Sequence, residues 1–470
     1  MPVEGSTLAS FFTVFKTTTT YRCLQCQGSG TCWTSLYFKP PDLFCSKTSV
    51  LSFSQRWPVP APKVSPPPTP CHLLLPTGTG SGKTVNEYQF IFACNLPNKT
   101  DPTTQFLIKG LTYDPRKSNE SRWSPESYID PLGDAWLSEL RKDIPYFLQL
   151  GINTIIVDHA DISQAPDQAL QLLHEAGIYV LLNLFTNISL NGNPSPAQID
   201  LQGLYTPSKI RKNLVLVSQT AKHPNVLGYS IAQDVNTPAT TKLASLHRAA
   251  VRDTKLFLQK TGSRPIPVGA GPSANQMYRR EAMRFMAAGE PAERVDFYSF
   301  DVYDWADPSS FQISGYKNLV EALSDDPVPM LFGEYGTHMG KPRDLGEVEC
   351  LFSPQMTGVF SGGFLHTYGH VEEVYTPPED GEDGDEDEFV GRYDLVRIRD
   401  DGARIPKRDY GTYRQRLADI AAKPVEDVCG VHEKKDYESW RGAFGGVDRT
   451  WLADPQDMPV FPLEWSAMLE

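Results

Sequence analysis

A chain of 470 residues is long enough for one large α/β barrel with appendages, or for two or three smaller domains. Its apolar (40%) and charged (21%) fractions are those of an ordinary globular protein, and no stretch stays apolar for long enough to span a membrane. A net charge of −13 argues against nucleic acid as the main partner, although Glu379–Glu388 concentrates eight acids in ten positions.

Residues 1–104 are rich in Thr, Ser, Pro and Cys. The runs Pro58–Pro62 and Pro66–Pro70 read as extended linker, so this part is expected to be a poorly structured N-terminal extension without an independent fold. Six of the eight cysteines (Cys23, Cys26, Cys32, Cys45, Cys71, Cys94) lie before residue 95. Cys23-x-x-Cys26 followed by Cys32 has the flavour of a metal knuckle. No second pair at zinc-finger spacing completes it, so scattered thiols are the simpler reading and no metal is assigned. Leu73–Thr84 resembles a phosphate-binding loop, but Thr77 stands at its first Gly and Tyr88–Ala93 reads as strand where such a loop opens a helix. A flexible linker explains it better. Residues 1–20 lack a basic stretch ahead of Leu8–Phe15, and Trp465–Glu470 carries no hydrophobic tail, so neither end reads as a secretion or lipid-anchor signal. Asn98, Asn119 and Asn187 sit in sequons of the kind any long chain collects.

From Phe106 the texture changes to short β-rich runs alternating with amphipathic stretches. Strands are predicted at 106–111, 152–157, 179–184, 226–231, 265–269, 296–302, 329–332 and 363–365. Helical patterns between them include 136–150, 165–176, 243–260 and 274–288. Eight strands alternating with helices over roughly 260 residues predict a (β/α)8 TIM-type barrel within 105–421. The acidic segment 372–391 then forms a loop before an additional strand at 393–399, and 422–470 is a C-terminal extension without assignment.

Two of the predicted strands stop at a carboxylate. Val226–Asp234 closes strand 4 on Asp234, and Val328–Glu334 closes strand 7 on Glu334. Acidic residues at the C-terminal ends of barrel strands read as chemistry, because that end of the fold carries the active site. Retaining glycosidases need two carboxyl groups about 5–5.5 Å apart, one as nucleophile and one as acid/base, and strands 4 and 7 face each other across a barrel mouth. Acidic caps of the following helices are the alternative reading.

The stretch 106–421 resembles the fungal 1,3-β-glucanosyltransferases of glycoside hydrolase family 72. The resemblance is carried, in order, by Phe106–Pro115, Asp130–Asp134, Lys142–Thr154, Ala176–Val180, Ser309–Phe311, Gly333–Gly336, Met356–Thr357, Ser361–Gly363 and Tyr393–Val396. It implies a retaining transfer. One carboxylate cleaves an internal β-1,3 bond and forms a glycosyl-enzyme, and a second glucan chain rather than water then attacks. Glu334 stands at the family nucleophile and Asp234 at its acid/base, where the family carries Glu. The substrate contacts implied are Gln233, Tyr303, Asp158, Asn183, Arg279, His366 and Tyr368. Donor and acceptor β-1,3-glucan chains are the implied partners, with no nucleic acid, no evident protein partner and no cofactor. The family location is the outer face of the plasma membrane, lipid-anchored, or the cell wall.

Departures from the family pattern cluster at the strand ends. Gln233-Asp234 replaces an Asn-Glu pair, Ile156-Val157-Asp158 replaces Arg-Val-Tyr, and Asp114 follows Tyr113 where the family has Gln. Asn183 stands for Asp, Asp301 for Asn and His366 for Tyr, while Ala169, Ala288 and Ala306 occupy cysteine positions. Two readings therefore stay open: a glucanosyltransferase, slow or altered in specificity, or a barrel that only binds β-glucan. A nucleotide-binding protein acting through Lys83 is a minor third.

Overall fold

The computed structural model describes residues 106–115, 129–184, 194–233, 235, 237–272, 278–324, 326, 328–338, 343–371, 393–422 and 451–469, all within the compact unit Pro62–Glu470. The N-terminal extension, its cysteines and the Lys83 loop, the acidic segment 372–391 and Asp234 lie outside the described residues.

The elements run β1 (Ile108–Thr112), α1 (Leu137–Leu150), β2 (Thr154–Val157), α2 (Asp167–Glu175), β3 (Tyr179–Leu184), α3 (Leu201–Leu204), α4 (Pro207–Thr220) and β4 (Val226–Gln233). They continue α5 (Pro238–Thr241), α6 (Leu243–Lys260), β5 (Val268–Pro272), α7 (Arg279–Ala287), β6 (Tyr298–Val302), α8 (Tyr316–Leu323), β7 (Met330–Tyr335), α9 (Gly346–Leu351), α10 (Pro354–Thr357) and β8 (Phe360–Leu365). The eight strands form a closed parallel barrel in sequence order. A two-stranded antiparallel ribbon of β9 (Val396–Ile398) and β10 (Arg404–Pro406) follows, and α11 (Arg408–Ala422) ends this part of the chain.

Period-two alternation divides the core into two sets. Ile108, Ile156, Tyr179, Leu181, Leu227, Phe297, Leu331 and Phe364 fill the barrel interior as one buried cluster. The opposite faces of the strands join the helices in a much larger shell. All strands being parallel, every C-terminal end opens on the same rim, which gathers Asp158, Asn183, Tyr303, Glu334 and His366.

Closure requires β8 to lie against β1, pairing Ile108 with Gly362 and Leu111 with Leu365. Gly362 has φ +83, and a Cβ there would sit 2.2 Å from the carbonyl oxygen of Ile108. Only glycine allows that approach. Above the seam, the buried Asp143 of α1 accepts the hydroxyl of Tyr113 (2.7 Å), which follows β1, and the hydroxyl of Tyr368 (2.7 Å), which follows β8. Arg404 of β10 donates to the same carboxylate through Nε (2.7 Å) and Nη2 (2.9 Å), and the Trp136 indole donates to Tyr113 (2.8 Å).

The C-terminal segment 451–469 is applied to the outside of the barrel. Trp451 packs on Phe285 (5.6 Å between ring centres), and Asp454 exchanges hydrogen bonds with the Ser245 hydroxyl of α6. The Gln202 amide brackets the backbone of Val460, and Phe461 stacks on Trp465 at 3.9 Å. Among the described residues no helix is long and apolar enough to cross a membrane.

Removing the shared acceptor of the seam should be costly. Asp143→Ala leaves a guanidinium and two phenols buried without their carboxylate, and we expect a loss of about 3–5 kcal/mol, read from the denaturant midpoint. Asp143→Asn keeps an acceptor oxygen and should lose less; an unchanged midpoint in the alanine variant would contradict the seam's dependence on Asp143.

Candidate active site

Glu334 is the penultimate residue of β7, and its carboxylate emerges at the rim with its side chain about one-fifth exposed (21%). Tyr303, the first residue beyond β6, donates its hydroxyl to Glu334 Oε2 at 2.7 Å. His366, the first residue beyond β8, places Nδ1 3.6 Å from Glu334 Oε1. The strands on either side of β7 thus each send one polar side chain to the same carboxylate. Burial, followed by the neighbouring Glu334 charge and the hydrogen bond to it, holds the Tyr303 phenol well above the usual tyrosine range, so it acts as a permanent donor. A carboxylate gripped by a phenol at a barrel mouth is suited to attack an electrophilic carbon.

Three further residues build the wall behind this group. Tyr393 packs edge-on against Tyr303 (5.8 Å), His366 (5.0 Å) and His338 (4.7 Å). Arg343 lies over the Tyr393 ring at 5.6 Å and donates to the main-chain oxygens of Tyr393, Gly336 and His366 (3.1, 2.7 and 3.0 Å). One guanidinium therefore ties the exits of β7 and β8 together. Gly336 has φ +102, and a Cβ there would come within 2.6 Å of Arg343 Nη2, so the clamp needs glycine at that turn.

The structure distributes the other sequence-derived candidates unevenly. Asp158 follows β2 and accepts a short hydrogen bond from the Asn183 amide of β3, so these two side chains meet at the rim. Arg279 opens α7 and is spent on Asp304 (3.0 Å) and the carbonyl of Asp301 (3.0 Å). It braces the β6 exit from behind. Tyr368 is fully buried with its hydroxyl on Asp143, which places it in the barrel seam beneath the rim rather than on a surface facing a ligand. Gln233 ends β4, in register with Pro272 of β5. Asp301, on β6, is in register with Glu334 across the sheet.

A family model described as glucanosyltransferase, of glycoside hydrolase family 72, matches residues 84–421. The chain belongs to the family 72 glucanosyltransferases. The family match begins well ahead of β1 and ends before the strap at 451–469. Among the curated relatives, the 1,3-beta-glucanosyltransferase gas5 of Schizosaccharomyces pombe is 32% identical over 335 residues, covering 68% of this chain and 58% of that protein. Gas1 of the same yeast is 32% identical over 274 residues, covering 58% of this chain and 48% of its own length. The chain spans about half the length of the curated relatives it matches. Among solved structures, Saccharomyces cerevisiae Gas2p with laminaritriose and laminaritetraose superposes with a TM-score of 0.56 at 27% identity, over 70% of this chain and 67% of that one. A Gas2p mutant with laminaritetraose and laminaripentaose gives 0.60 at 26%, over 77% and 72%.

Beside the Arg343 clamp, this family 72 barrel carries a buried acid. Glu347 of α9 is 1% exposed, and its burial is only partly offset by its own backbone N–H and the charges of Arg343 and Arg416. Burial pushes its carboxyl up to about 7. The folded state thus favours the protonated acid. The stability this confers is complete below the ordinary carboxylate value and is lost as pH rises through 7. Over that window the loss is on the order of 3 kcal/mol. Comparing denaturant midpoints at pH 5 and pH 8, Glu347→Gln should shrink the difference by that amount. An undiminished difference in the variant would assign the pH dependence elsewhere.

Proposed function

We propose that this chain is a β-1,3-glucanosyltransferase that elongates glucan by a retaining double displacement, with Glu334 as nucleophile and Asp234 as acid/base. The observation that carries the reading is the Tyr303–Glu334 hydrogen bond at the barrel rim, within a chain of this family. In the first step Glu334 attacks the anomeric carbon of an internal glucose. The bond to the leaving oxygen breaks as Asp234 delivers its proton, and a glycosyl-enzyme ester forms. In the second step Asp234, now a carboxylate, takes the proton from a hydroxyl of an acceptor chain. That oxygen attacks the same carbon and frees Glu334. Tyr303 holds the carboxylate in line and stabilises it as it departs from the ester. Laminari-oligosaccharides bound to Gas2p support β-1,3-linked glucan as the ligand class. A reaction on such chains belongs where the glucan is laid down, at the cell wall outside the plasma membrane.

A binding-only barrel is the second reading, favoured by Asp234 itself. Its carboxyl is one methylene shorter than Glu, and a misplacement of about 1 Å can cost on the order of a hundredfold in rate. The two readings separate on incubating the full-length chain with reduced laminari-oligosaccharides. Transfer products longer than the substrate, absent in Glu334→Gln, support the enzyme; binding without products in the wild type contradicts it. Asp234→Glu should raise the rate by up to about a hundredfold. Tyr303→Phe should lower kcat by about tenfold to a hundredfold, the worth of a hydrogen bond to a charged group.

A further inference from the structure

We propose that His366 is a titratable partner of Glu334 whose protonation disables the nucleophile on the acid side of neutrality. The inference rests on Glu334 being the nucleophile. Tyr303 donates to Oε2 of that carboxylate, and the other oxygen, Oε1, faces His366 Nδ1 at 3.6 Å. Both side chains are largely enclosed, 13% and 21% exposed, so water screens the pair weakly. The ring is fixed in this orientation by Tyr393 on one side and Tyr303 on another, while Arg343 holds its main-chain oxygen.

Among the described residues, several ionisable or charged groups surround the imidazole. Glu334 faces it from β7, Tyr303 from the β6 exit and Tyr393 from the segment before β9. Arg343 reaches its carbonyl, His338 lies beyond Tyr393, and Asp301 neighbours Glu334 in register on β6. Of these, the Glu334 carboxylate lies within ion-pair distance of the ring. Neutral imidazole draws no charge from Oε1. Imidazolium pairs with that oxygen and sets a positive charge beside an oxocarbenium-like transition state, which is unfavourable twice over. An unperturbed histidine titrates near pH ~6.5; here a carboxylate partner favours the charged ring while enclosure opposes it. The tyrosine that family 72 carries at this position does not titrate there.

The experiment uses the full-length chain and two independent readouts. In histidine-labelled protein, the His366 ring signal is identified by its loss in His366→Gln and titrated by NMR in wild type and in Glu334→Gln. We expect its midpoint to fall by about one pH unit in Glu334→Gln; an unchanged midpoint overturns the pairing whether or not the chain turns over glucan. In the transfer assay, wild type should lose about tenfold in rate from pH 8 to pH 5.5, whereas His366→Tyr and His366→Gln should lose much less, whatever their absolute rates. Variants that keep the wild-type acid limb overturn the proposal. If wild type makes no transfer products at any pH, the glucanosyltransferase reading fails and the ring titration alone decides the pairing.

Discussion

The carboxylate of Asp143 is the constraint on which the functional end of this barrel depends. A closed sheet has one seam where the last strand meets the first, and here the residues leaving both strands, Tyr113 and Tyr368, converge on that single buried acid. Arg404 adds a bidentate contact from the ribbon that follows the barrel. The arrangement fixes where β8 ends, and His366 is two residues before Tyr368. The position of the imidazole beside Glu334 is thus inherited from a network with no ligand-facing atom. Two unrelated demands, a covalently continuous chain and a closed hydrogen-bonded cylinder, meet at one carboxylate, and a buried charge is tolerated there because every polar partner around it is paired.

From the seam outward, the rim is organised as nested layers. Glu334 is held by Tyr303 and faced by His366; those two are backed by Tyr393; and Arg343 binds the backbone of the exits that carry them. Such support matters because a group misplaced by a fraction of an ångström loses much of its catalytic value. The substitutions that distinguish this chain at the strand ends fall mostly on the opposite arc. Asp158 and Asn183 satisfy one another there, and a wall that is internally paired offers fewer donors to a sugar. Beside Glu334 the chain keeps Tyr303 but carries His366 and Asp301 where the family has Tyr and Asn.

The barrel was legible because its signals are local. Tyr179–Leu184 is strand over the very residues whose β-rich run marks it, and α6 follows its apolar spacing from Leu243 to Lys260. Strand ends were less so: β4 and β7 continue two and three residues past the runs that announce them, since polar rim residues such as Gln233 and Glu334 still pair in the sheet. Glu334 and Tyr303 could be named because short motifs surround them. Their dependence on Tyr393 and Arg343 could not, because it is a contact between segments tens of residues apart whose sequence shows only an aromatic after an acidic run and an arginine in a loop. Tyr368 illustrates the converse. The family resemblance implied a ligand contact, and only the buried acceptor on α1 shows where its hydroxyl goes. The strap at 451–469 carries no periodic pattern at all, because it is held by individual anchors such as Trp451 and Asp454 rather than by an apolar face.

The account stands on Glu334 forming a covalent bond to sugar. The most direct measurement is mechanism-based trapping of the full-length chain with a 2-deoxy-2-fluoro-laminari-oligosaccharide bearing a good leaving group, followed by peptide mapping by mass spectrometry. A glycosyl adduct on Glu334, absent in Glu334→Gln, is the result the account predicts. An adduct on any other residue, or none while the same reagent binds the rim, would contradict it.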